Sequence, residues 1–315
     1  MKVAICGVWH VHAEHYFTIA SREGEVVGVY DADAQRRREF CEKYNVKELA
    51  TMEELLESEA EGIIVCSETS SHADDMVRIA NAGKDIFTEK VLALTVEDSL
   101  RIKKAVEENG VRFVISFPQK FFGGNLTVKR MAESGKLGRI NFLRCRVGHN
   151  GSLADWLPAS FYDRHDCGGG AMMDLGAHIM YLTEWILGKP EAYTSMFTVC
   201  ENTPKNRDGV EDNAVTMMRF AGGCIAVVET SFVQMLVPET MLEVSGDKGY
   251  VRFDEFGVRI CTNETNEQFV PVEKCADEPI PIERFMRGET VPECSIDKAV
   301  TLTEMMVGAY GNQVK

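Results

Sequence analysis

Short apolar runs alternate with longer amphipathic stretches through the first 117 residues of the chain. The runs predict five buried strands, at residues 2–6, 26–30, 62–66, 85–90 and 111–117. The stretches between them have helical periodicity and predict helices at about 10–22, 33–44, 70–81 and 95–110. Because strands separated by such helices are typical of βαβ units, we expect an α/β region with a parallel, doubly wound sheet.

Polar residues and glycines mark the ends of these helices. Ser, Thr and Asp side chains accept hydrogen bonds from the first amides of a helix, and glycine readily adopts the left-handed conformation that ends one. The predicted N-caps are Asp33, Ser70 or Ser71, and Thr95 with Asp98 as its capping-box partner. The predicted C-terminal stops are Gly83 and Gly110.

The remainder of the chain has a different pattern. Strand-like runs dominate, at residues 140–148, 192–200, 213–220, 224–233, 240–245, 249–253 and 257–261. Helical stretches lie at 125–135, 170–187 and 297–310, and glycines at 222–223 and 246–249 predict hairpin turns. We predict an α+β domain with a largely antiparallel sheet. The predicted domains are 1–122 and 123–315. In an alternative arrangement, the final helix packs back on the first domain.

Charge narrows the range of partners. The 315 residues include 34 Lys and Arg against 49 Asp and Glu, a formal net charge of −15. So acidic a chain suits neither nucleic acid nor an anionic membrane, and no apolar run approaches the roughly 20 residues of a membrane span. The opening residues, MKVAICGVWH, are apolar for only a few positions, so we expect no signal peptide in them. We expect a cytoplasmic protein. Its ten cysteines include no C-x-x-C pair and several lie in apolar runs, which predicts reduced, structural thiols.

The turn after the first strand predicts a dinucleotide site. Residues 7–12 read GVWHVH where the usual fingerprint reads G-x-G-x-x-G, and Asp31 ends the second strand. A carboxylate there binds the adenosine ribose and repels a 2′-phosphate, and the amides at the helix N-terminus can still bind the pyrophosphate. We predict NAD, with NADP less favoured although arginines occupy 36–38. The cofactor residues predicted here are Gly7, Val8, Trp9, His10, Val11 and Asp31.

Three histidines in this turn admit a metal site as an alternative. Helical spacing places His12 and His15 on one face, near His10. However, no cysteine completes a tetrahedral set, and the neighbouring Glu14 points elsewhere. We predict no metal and place His10 and Trp9 beside the phosphates or the nicotinamide.

Three further segments carry polar groups. Residues 66–72 (CSETSSH) follow the third strand and residues 88–91 (TEKV) follow the fourth. Residues 168–178 (GGGAMMDLGAH) lead into a helix on which Asp174 and His178, four residues apart, share one face. An acid and an imidazole in so apolar a helix are costly unless they serve a site, the alternative being a satisfied core histidine.

Together these motifs resemble the Gfo/Idh/MocA family of glucose–fructose oxidoreductases and inositol dehydrogenases. Residues 135–140 (GKLGRI) and Ala309-Tyr310 extend the resemblance over the whole chain. It implies a Rossmann domain and a second domain with an open sheet, through which homodimers or homotetramers form. It also implies NAD(P)-dependent hydride transfer to or from a secondary alcohol or ketone of a sugar, cyclitol or related polyol.

The resemblance further implies roles for single residues. Lys90 and His178 would form the catalytic pair, with Asp174 orienting or tuning His178. Val91 departs from the proline that usually follows Glu-Lys in the family. Glu68 also replaces a common proline, and Gln119-Lys120 lies where arginine is frequent. The remaining residues of the cofactor pocket would be Ser67, Glu68, Thr69, His72, Glu89, Lys90 and Gln119.

Two other functions would use the same residues. One is an NAD-retaining enzyme that cleaves a glycosidic bond or eliminates a group through transient oxidation, and the other is a non-catalytic nucleotide sensor. Asn150, Trp156 and Tyr162 either line the sugar pocket or pack as loop residues.

Overall fold

The computed structural model describes residues 1–201, 203–234 and 239–314. The chain forms two compact units, one of residues 1–117 with 279–303 and the other of residues 118–278 with 304–315. The main segment of the first unit thus ends shortly before the predicted boundary at residue 122.

The first unit is built on a five-stranded parallel sheet, which confirms the predicted α/β fold. The strands lie in the order β2-β1-β3-β4-β5. Every residue of the third and fifth strands is buried, as expected of a parallel sheet covered on both faces. The bounds are β1 Lys2–Cys6, β2 Glu25–Tyr30, β3 Gly62–Val65, β4 Asp85–Thr88 and β5 Phe113–Ile115.

Helices accompany these strands at α1 Ala13–Glu23, α2 Ala34–Tyr44, α3 Met52–Glu57, α4 His72–Asn81 and α5 Val96–Asn109. Asp33 caps α2, Thr95 caps α5, and Gly110 ends α5 in the left-handed conformation, all as predicted. Ser71 makes no side-chain bond to the first turn of α4, so that predicted cap is wrong. The short helix α3 was not predicted.

The start of α1 differs from the prediction. The helix begins at Ala13 and not near residue 10. The amide of His10 instead bonds to the carbonyl of Cys66, 3.1 Å away, so the residues before Ala13 form a turn against the loop that follows β3.

The second unit contains an eight-stranded sheet in the order β13-β12-β11-β10-β6-β9-β8-β7. Neighbouring strands are antiparallel except β6 and β9, which confirms a largely antiparallel sheet. All seven predicted strands are present, and the short β13 is additional. The bounds are β6 Ile140–Gly148, β7 Ala192–Thr198, β8 Asn213–Arg219, β9 Ile225–Ser231, β10 Glu239–Gly246, β11 Gly249–Asp254, β12 Gly257–Thr262 and β13 Val270–Pro271.

Helices α6 Gly123–Glu133, α7 Arg164–Cys167 and α8 Ala177–Leu187 belong to the second unit. The predicted helix at 170–187 is not uniform, because residues Met172–Gly176 form a π-helix that leads into α8. The residue before this π-helix, Ala171, packs in a buried apolar cluster with Leu157, Tyr162, Val210 and Phe232.

Two helices complete the chain, α9 Pro281–Met286 and α10 Ile296–Gly311. The first packs on α1 within the first unit, and the residues of α10 are divided between the two units after Thr303. Within the described ranges, every helix falls short of the length and apolarity that crossing a membrane requires. All ten cysteines are free thiols, and six of them are buried.

Candidate functional site

The carboxyl ends of the parallel strands gather the first group of candidate residues. Gly7 follows β1, Asp31 follows β2, Ser67 follows β3 and Glu89 follows β4. Strand order reverses at β1, so the crevice at the ends of β1 and β3 is the position where open α/β sheets bind ligands. The topology therefore places these residues along one edge of the sheet.

Gly7 occupies a position that only glycine fits. Its φ is +81°, and a Cβ atom there would lie 2.3 Å from the Cα of Ser67. Its amide donates to the carbonyl of Tyr30 at 2.7 Å. The turn after β1 is thus held against the ends of both neighbouring strands.

Asp31 is fully buried and accepts several hydrogen bonds. The amides of Val8 and Asp33 donate to it at 2.7 and 2.8 Å, and Arg36 donates to both of its oxygens at 2.9 and 2.7 Å. Arg36 also reaches Glu68 at 2.6 Å. Burial opposes the charge of this guanidinium, but the two carboxylates outweigh it and raise the pKa of Arg36.

Side-chain hydrogen bonds fix the position of the segment after β3. The hydroxyl of Ser67 donates to Asp75 at 2.7 Å, and Thr69 is buried in a short 3₁₀ turn. The His72 ring is buried, with Nδ1 within 3.2 Å of the carbonyls of Val91 and Leu92. Burial lowers the pKa of His72. These bonds join the loop after β3 to the loop after β4.

Glu89 is 2% exposed and lies at the centre of a polar cluster. His12 Nδ1 is 2.7 Å from Glu89 Oε1, the Tyr16 hydroxyl donates to the same oxygen, and the Lys90 amide donates to Oε2 at 2.9 Å. Burial opposes ionisation of Glu89, yet the charges of His10, His12 and Lys90 and the bond from His12 hold its pKa well below its usual value. The peptide bond between Lys90 and Val91 is cis.

The sequence search for a carboxylate near the histidines missed Glu89, which lies 77 residues from His12. Glu14 indeed points elsewhere, toward Lys43, and His15 is exposed on α1. Trp9 is half-buried with its ring 6.2 Å from that of His10, whereas Val11 is 49% exposed. Only the order of the strands brings β4 close enough to supply this acid.

The second group of candidate residues lies in the second unit. Asp174 is on the π-helix and His178 is in the first turn of α8, both half-buried. Because the chain passes from a π-helix at Asp174 to an α-helix at His178, the two side chains do not have the i, i+4 spacing of one regular α-helix that the prediction assumed. His178 Nδ1 is 3.0 Å from the Tyr181 hydroxyl, which also accepts the amide of Gln119 at 3.1 Å.

The charge of Asp174 also acts on His149. Burial lowers the pKa of His149, and Asp174 opposes that shift. The His149 ring stacks on Phe232 at 5.0 Å and lies 4.6 Å from Trp156, which is 53% exposed. Tyr162, by contrast, is buried and bonds to Ser152 at 2.7 Å, which favours a packing role for it.

Glu211 was not singled out in the sequence, yet it anchors the glycine-rich segment. It is buried and accepts the amides of Gly170 and Met172 at 3.0 and 3.1 Å and the hydroxyl of Tyr310 at 2.6 Å. Burial raises its pKa. A Cβ at Gly170 would lie 1.9 Å from the Glu211 carbonyl oxygen, so glycine is required for this approach. The only sequence signal was an acid just before a strand.

Lys120 extends the polar network around Tyr181. Its side chain is fully buried, with Nζ 3.7 Å from Glu184 and 5.7 Å from the centre of the Tyr181 ring. A cation and an acid therefore flank the aromatic residue that bonds to His178.

Two family models match the chain. Residues 1–117 match the oxidoreductase family with an NAD-binding Rossmann fold, and residues 125–252 match the GFO/IDH/MocA C-terminal domain. The chain belongs to the Gfo/Idh/MocA family. This Gfo/Idh/MocA protein is therefore an oxidoreductase whose first unit carries an NAD-binding Rossmann fold, as the resemblance in its sequence predicts.

Individual relatives agree with this membership. Myo-inositol 2-dehydrogenase of Thermotoga maritima is 25% identical over 258 residues, covering 81% of this chain and 75% of that protein. Scyllo-inositol 2-dehydrogenase (NAD(+)) of Bacillus subtilis is 27% identical over 192 residues, covering 61% and 54%. A levoglucosan dehydrogenase structure in complex with NADH and levoglucosan superposes with a TM-score of 0.84 at 17% identity, covering 99% of this chain and 96% of that one. The last likeness concerns the fold alone.

Proposed function

We propose that this Gfo/Idh/MocA protein transfers hydride between NAD and a secondary alcohol or ketone of a sugar, cyclitol or related polyol. The observation that carries the proposal is the presence of Lys90, Asp174 and His178 at the motif positions of a family whose Rossmann fold binds NAD. The relatives named as inositol dehydrogenases support the substrate class.

The first unit suits a dinucleotide on two grounds. The N-terminus of α1 lies at the switch-point edge, where its partial positive charge favours a pyrophosphate. Asp31 lies at the end of β2, where a carboxylate meets an adenosine ribose in this fold, and a ribose hydroxyl there would replace one of its bonds from Arg36. We assign cofactor contacts to Gly7 and the residues that follow it, and to the loop of Ser67, Glu68 and Thr69. NAD, when bound, supplies the hydride acceptor.

Surrounding charges favour NAD over NADP. Arg36 is already bound by Asp31 and Glu68, and Arg37 by Glu48 at 2.8 Å. A 2′-phosphate placed beside Asp31 would therefore meet the carboxylates of Asp31 and Glu68. We expect kcat/KM to be at least about tenfold higher with NAD⁺ than with NADP⁺, because like charges placed together cost several kcal/mol.

Lys90 and His178 have complementary chemical roles in this proposal. His178 removes the hydroxyl proton as a general base, and the Lys90 ammonium stabilises the developing alkoxide. A neutral imidazole acts as a base only through the nitrogen without a proton. In this proposal the His178 Nδ1 proton is donated to the Tyr181 hydroxyl, whose second lone pair accepts the Gln119 amide, and His178 Nε2 is therefore the base.

We further propose that two copies associate through the outer face of the eight-stranded sheet. Apolar side chains are exposed on that sheet in strands β7, β8 and β9, namely Met196, Val215, Met217 and Ile225. A contiguous exposed apolar surface of this kind is typical of protein interfaces. Light scattering would test this, since a monomeric mass at micromolar concentration contradicts it.

The ten free thiols also suit the cytoplasmic location that the composition predicts.

The decisive experiment measures reduction of NAD⁺ and NADP⁺ across a panel of polyols, cyclitols and aldoses, and the reverse reaction with the matching ketones. Net NADH release on at least one member is expected. A binding signal for NAD⁺ without turnover on any member would favour the nucleotide sensor. Substrate cleavage without net NADH release would favour the NAD-retaining enzyme. Either result would overturn the dehydrogenase proposal.

A further inference from the structure

The turn after β1 and the loop after β4 bring two imidazoles and a carboxylate together. We propose that His10, His12 and Glu89 form a binding site for one divalent transition-metal ion of the Zn²⁺ class. The proposal does not depend on the polyol chemistry above, because the ligand set is complete within the first unit.

The ligand atoms converge as one metal site requires. One nitrogen from each histidine and one oxygen of Glu89 all lie within 4.8 Å of one another. His12 Nδ1 and Glu89 Oε1 are 2.7 Å apart, and the two imidazole rings lie 4.8 Å apart. Two ligands of a tetrahedral Zn²⁺ with bonds near 2.0 Å are about 3.3 Å apart, so only small side-chain movements separate this arrangement from a bound site.

The donor types select the class of metal. Two imidazoles and one carboxylate suit Zn²⁺ and its neighbours, whereas Mg²⁺ and Ca²⁺ prefer oxygen ligands alone. Three protein ligands leave at least one position for water or another ligand. A second cluster with metal-binding residue types, Asp163, His165 and Asp166, is more exposed, since the His165 side chain is 86% accessible.

Surrounding hydrogen bonds hold the ligands in place. Glu89 Oε2 accepts the Lys90 amide, and Oε1 accepts the Tyr16 hydroxyl, which is itself 2.8 Å from Ser116 Oγ. Before an ion binds, the His12 amide donates to His10 Nδ1 at 3.2 Å and orients that ring toward Glu89. Such outer partners typically raise metal affinity because they fix the orientation of the ligands.

Binding requires each histidine to free one nitrogen lone pair. At His12, the Nδ1 proton shared with Glu89 leaves for solvent while Nε2 carries a proton, so that the metal-bound ring is neutral. At His10, the Nδ1 lone pair that accepts the His12 amide passes to the metal, and that amide bond is given up. Solvent can take up the His12 proton because the His12 side chain is 44% exposed. The same exposure gives the ion a route to Glu89.

The test is a titration of the chelator-treated full chain with Co²⁺ in the absence of NAD, followed by visible absorption and displacement with Zn²⁺. We expect one equivalent of Co²⁺ with ligand-field bands of nitrogen and oxygen donors. His12→Asn and Glu89→Gln should each weaken binding at least about tenfold, the lower end for even an outer partner. His12→Asn is a mild change, because asparagine is a favoured residue before the first turn of a helix.

Matched controls use histidines outside the site. His15→Asn on the same helix and His165→Asn in the exposed cluster should bind Co²⁺ as the wild type does. The proposal is overturned if the wild type binds no stoichiometric Co²⁺, or if His12→Asn and Glu89→Gln bind it unchanged. Intense sulfur-to-cobalt charge-transfer bands would also overturn it, since they would assign the ion to cysteines. Because NAD is absent from the titration, failure here leaves the dehydrogenase proposal intact.

Discussion

The two regions that carry the candidate residues are positioned in different ways. In the first unit, the residues follow neighbouring strands of one parallel sheet, so the backbone topology alone brings them to one edge. In the second unit, Asp174 and His178 lie on a π-helix and the helix that continues it. Side chains hold that segment, with Glu211 at its start and Tyr181 beside His178.

This difference predicts which kind of mutation each region tolerates least. A site made by strand ends depends on close backbone contacts, such as that between Gly7 and Ser67. A site made by a π-helix depends on hydrogen bonds from residues distant in sequence, because π-turns are rare and need support from their surroundings. Backbone changes should therefore be most harmful in the first region, and loss of single hydroxyl or carboxyl groups in the second.

The largest effect should come from removing one chemical group from each region. We expect Lys90→Ala and His178→Ala each to lower kcat at least about a hundredfold, the low end for an acid–base group, while NAD⁺ affinity is retained. Single-turnover hydride transfer and fluorescence titration of the cofactor measure the two quantities. Lys104→Ala and His15→Ala are matched controls on exposed helix surfaces and should leave both unchanged.

Unchanged hydride transfer in either Lys90→Ala or His178→Ala would remove that residue from the mechanism. If only one variant were impaired, the catalytic residues would lie in one region only. The two regions would then differ in structure but would not share the reaction.

A second, smaller effect concerns the backbone of the first region. Gly7 and Gly83 both have positive φ, +81° and +72°, but a Cβ at Gly83 meets nothing within 4 Å. Gly83→Ala therefore reports the backbone cost alone, and Gly7→Ala adds a clash with the Ser67 backbone. We expect Gly7→Ala to lower the free energy of unfolding by roughly 1–3 kcal/mol more than Gly83→Ala in urea titrations. Equal losses would show that the close approach at Gly7 is not rigid.

The same contrast explains which parts of the fold and of the candidate site can be predicted from the sequence. Strand positions, the parallel and antiparallel sheets and the residues at strand ends follow from periodicity, because these depend on short-range patterns and on topology rules. The pairing of His12 with Glu89 depends on which strands become neighbours. The π-helix and its anchor Glu211 depend on tertiary hydrogen bonds, for which the local sequence offers only an acid just before a strand.

A third effect concerns one hydroxyl group in the second region, the bond of which to His178 should dominate. In Tyr181→Phe the ring is kept, while the His178 Nδ1 and Gln119 amide bonds are lost. We expect kcat to fall about tenfold, the equivalent of one net hydrogen bond, with NAD⁺ affinity unchanged. Because an acceptor at Nδ1 stabilises the protonated imidazole, its loss should also move the acidic limb of the kcat–pH profile to lower pH.

Tyr250→Phe is the control for that change, since Tyr250 bonds to Glu243 on the sheet of the same unit. Its profile should match the wild type. A Tyr181→Phe enzyme with lower kcat and an unshifted pH profile would mean that the hydroxyl only supports packing and does not select the tautomer of His178.

The smallest effect is a pH dependence of stability at the edge of the first region. Burial lowers the pKa of His72 below 6.5 even though the charge of Asp75 and backbone carbonyls at its ring favour the charged form. The folded state thus prefers neutral His72, so its contribution to stability is complete above pH 6.5 and is lost as the pH falls below that value. His72→Gln cannot titrate, so the difference in unfolding free energy between wild type and variant should shrink from pH 7.5 to 5, whereas that for exposed His15→Gln stays constant. A difference that grows on acidification would show that Asp75 and the carbonyls, and not burial, control the pKa of His72, and that this strand-end region tolerates a buried charge.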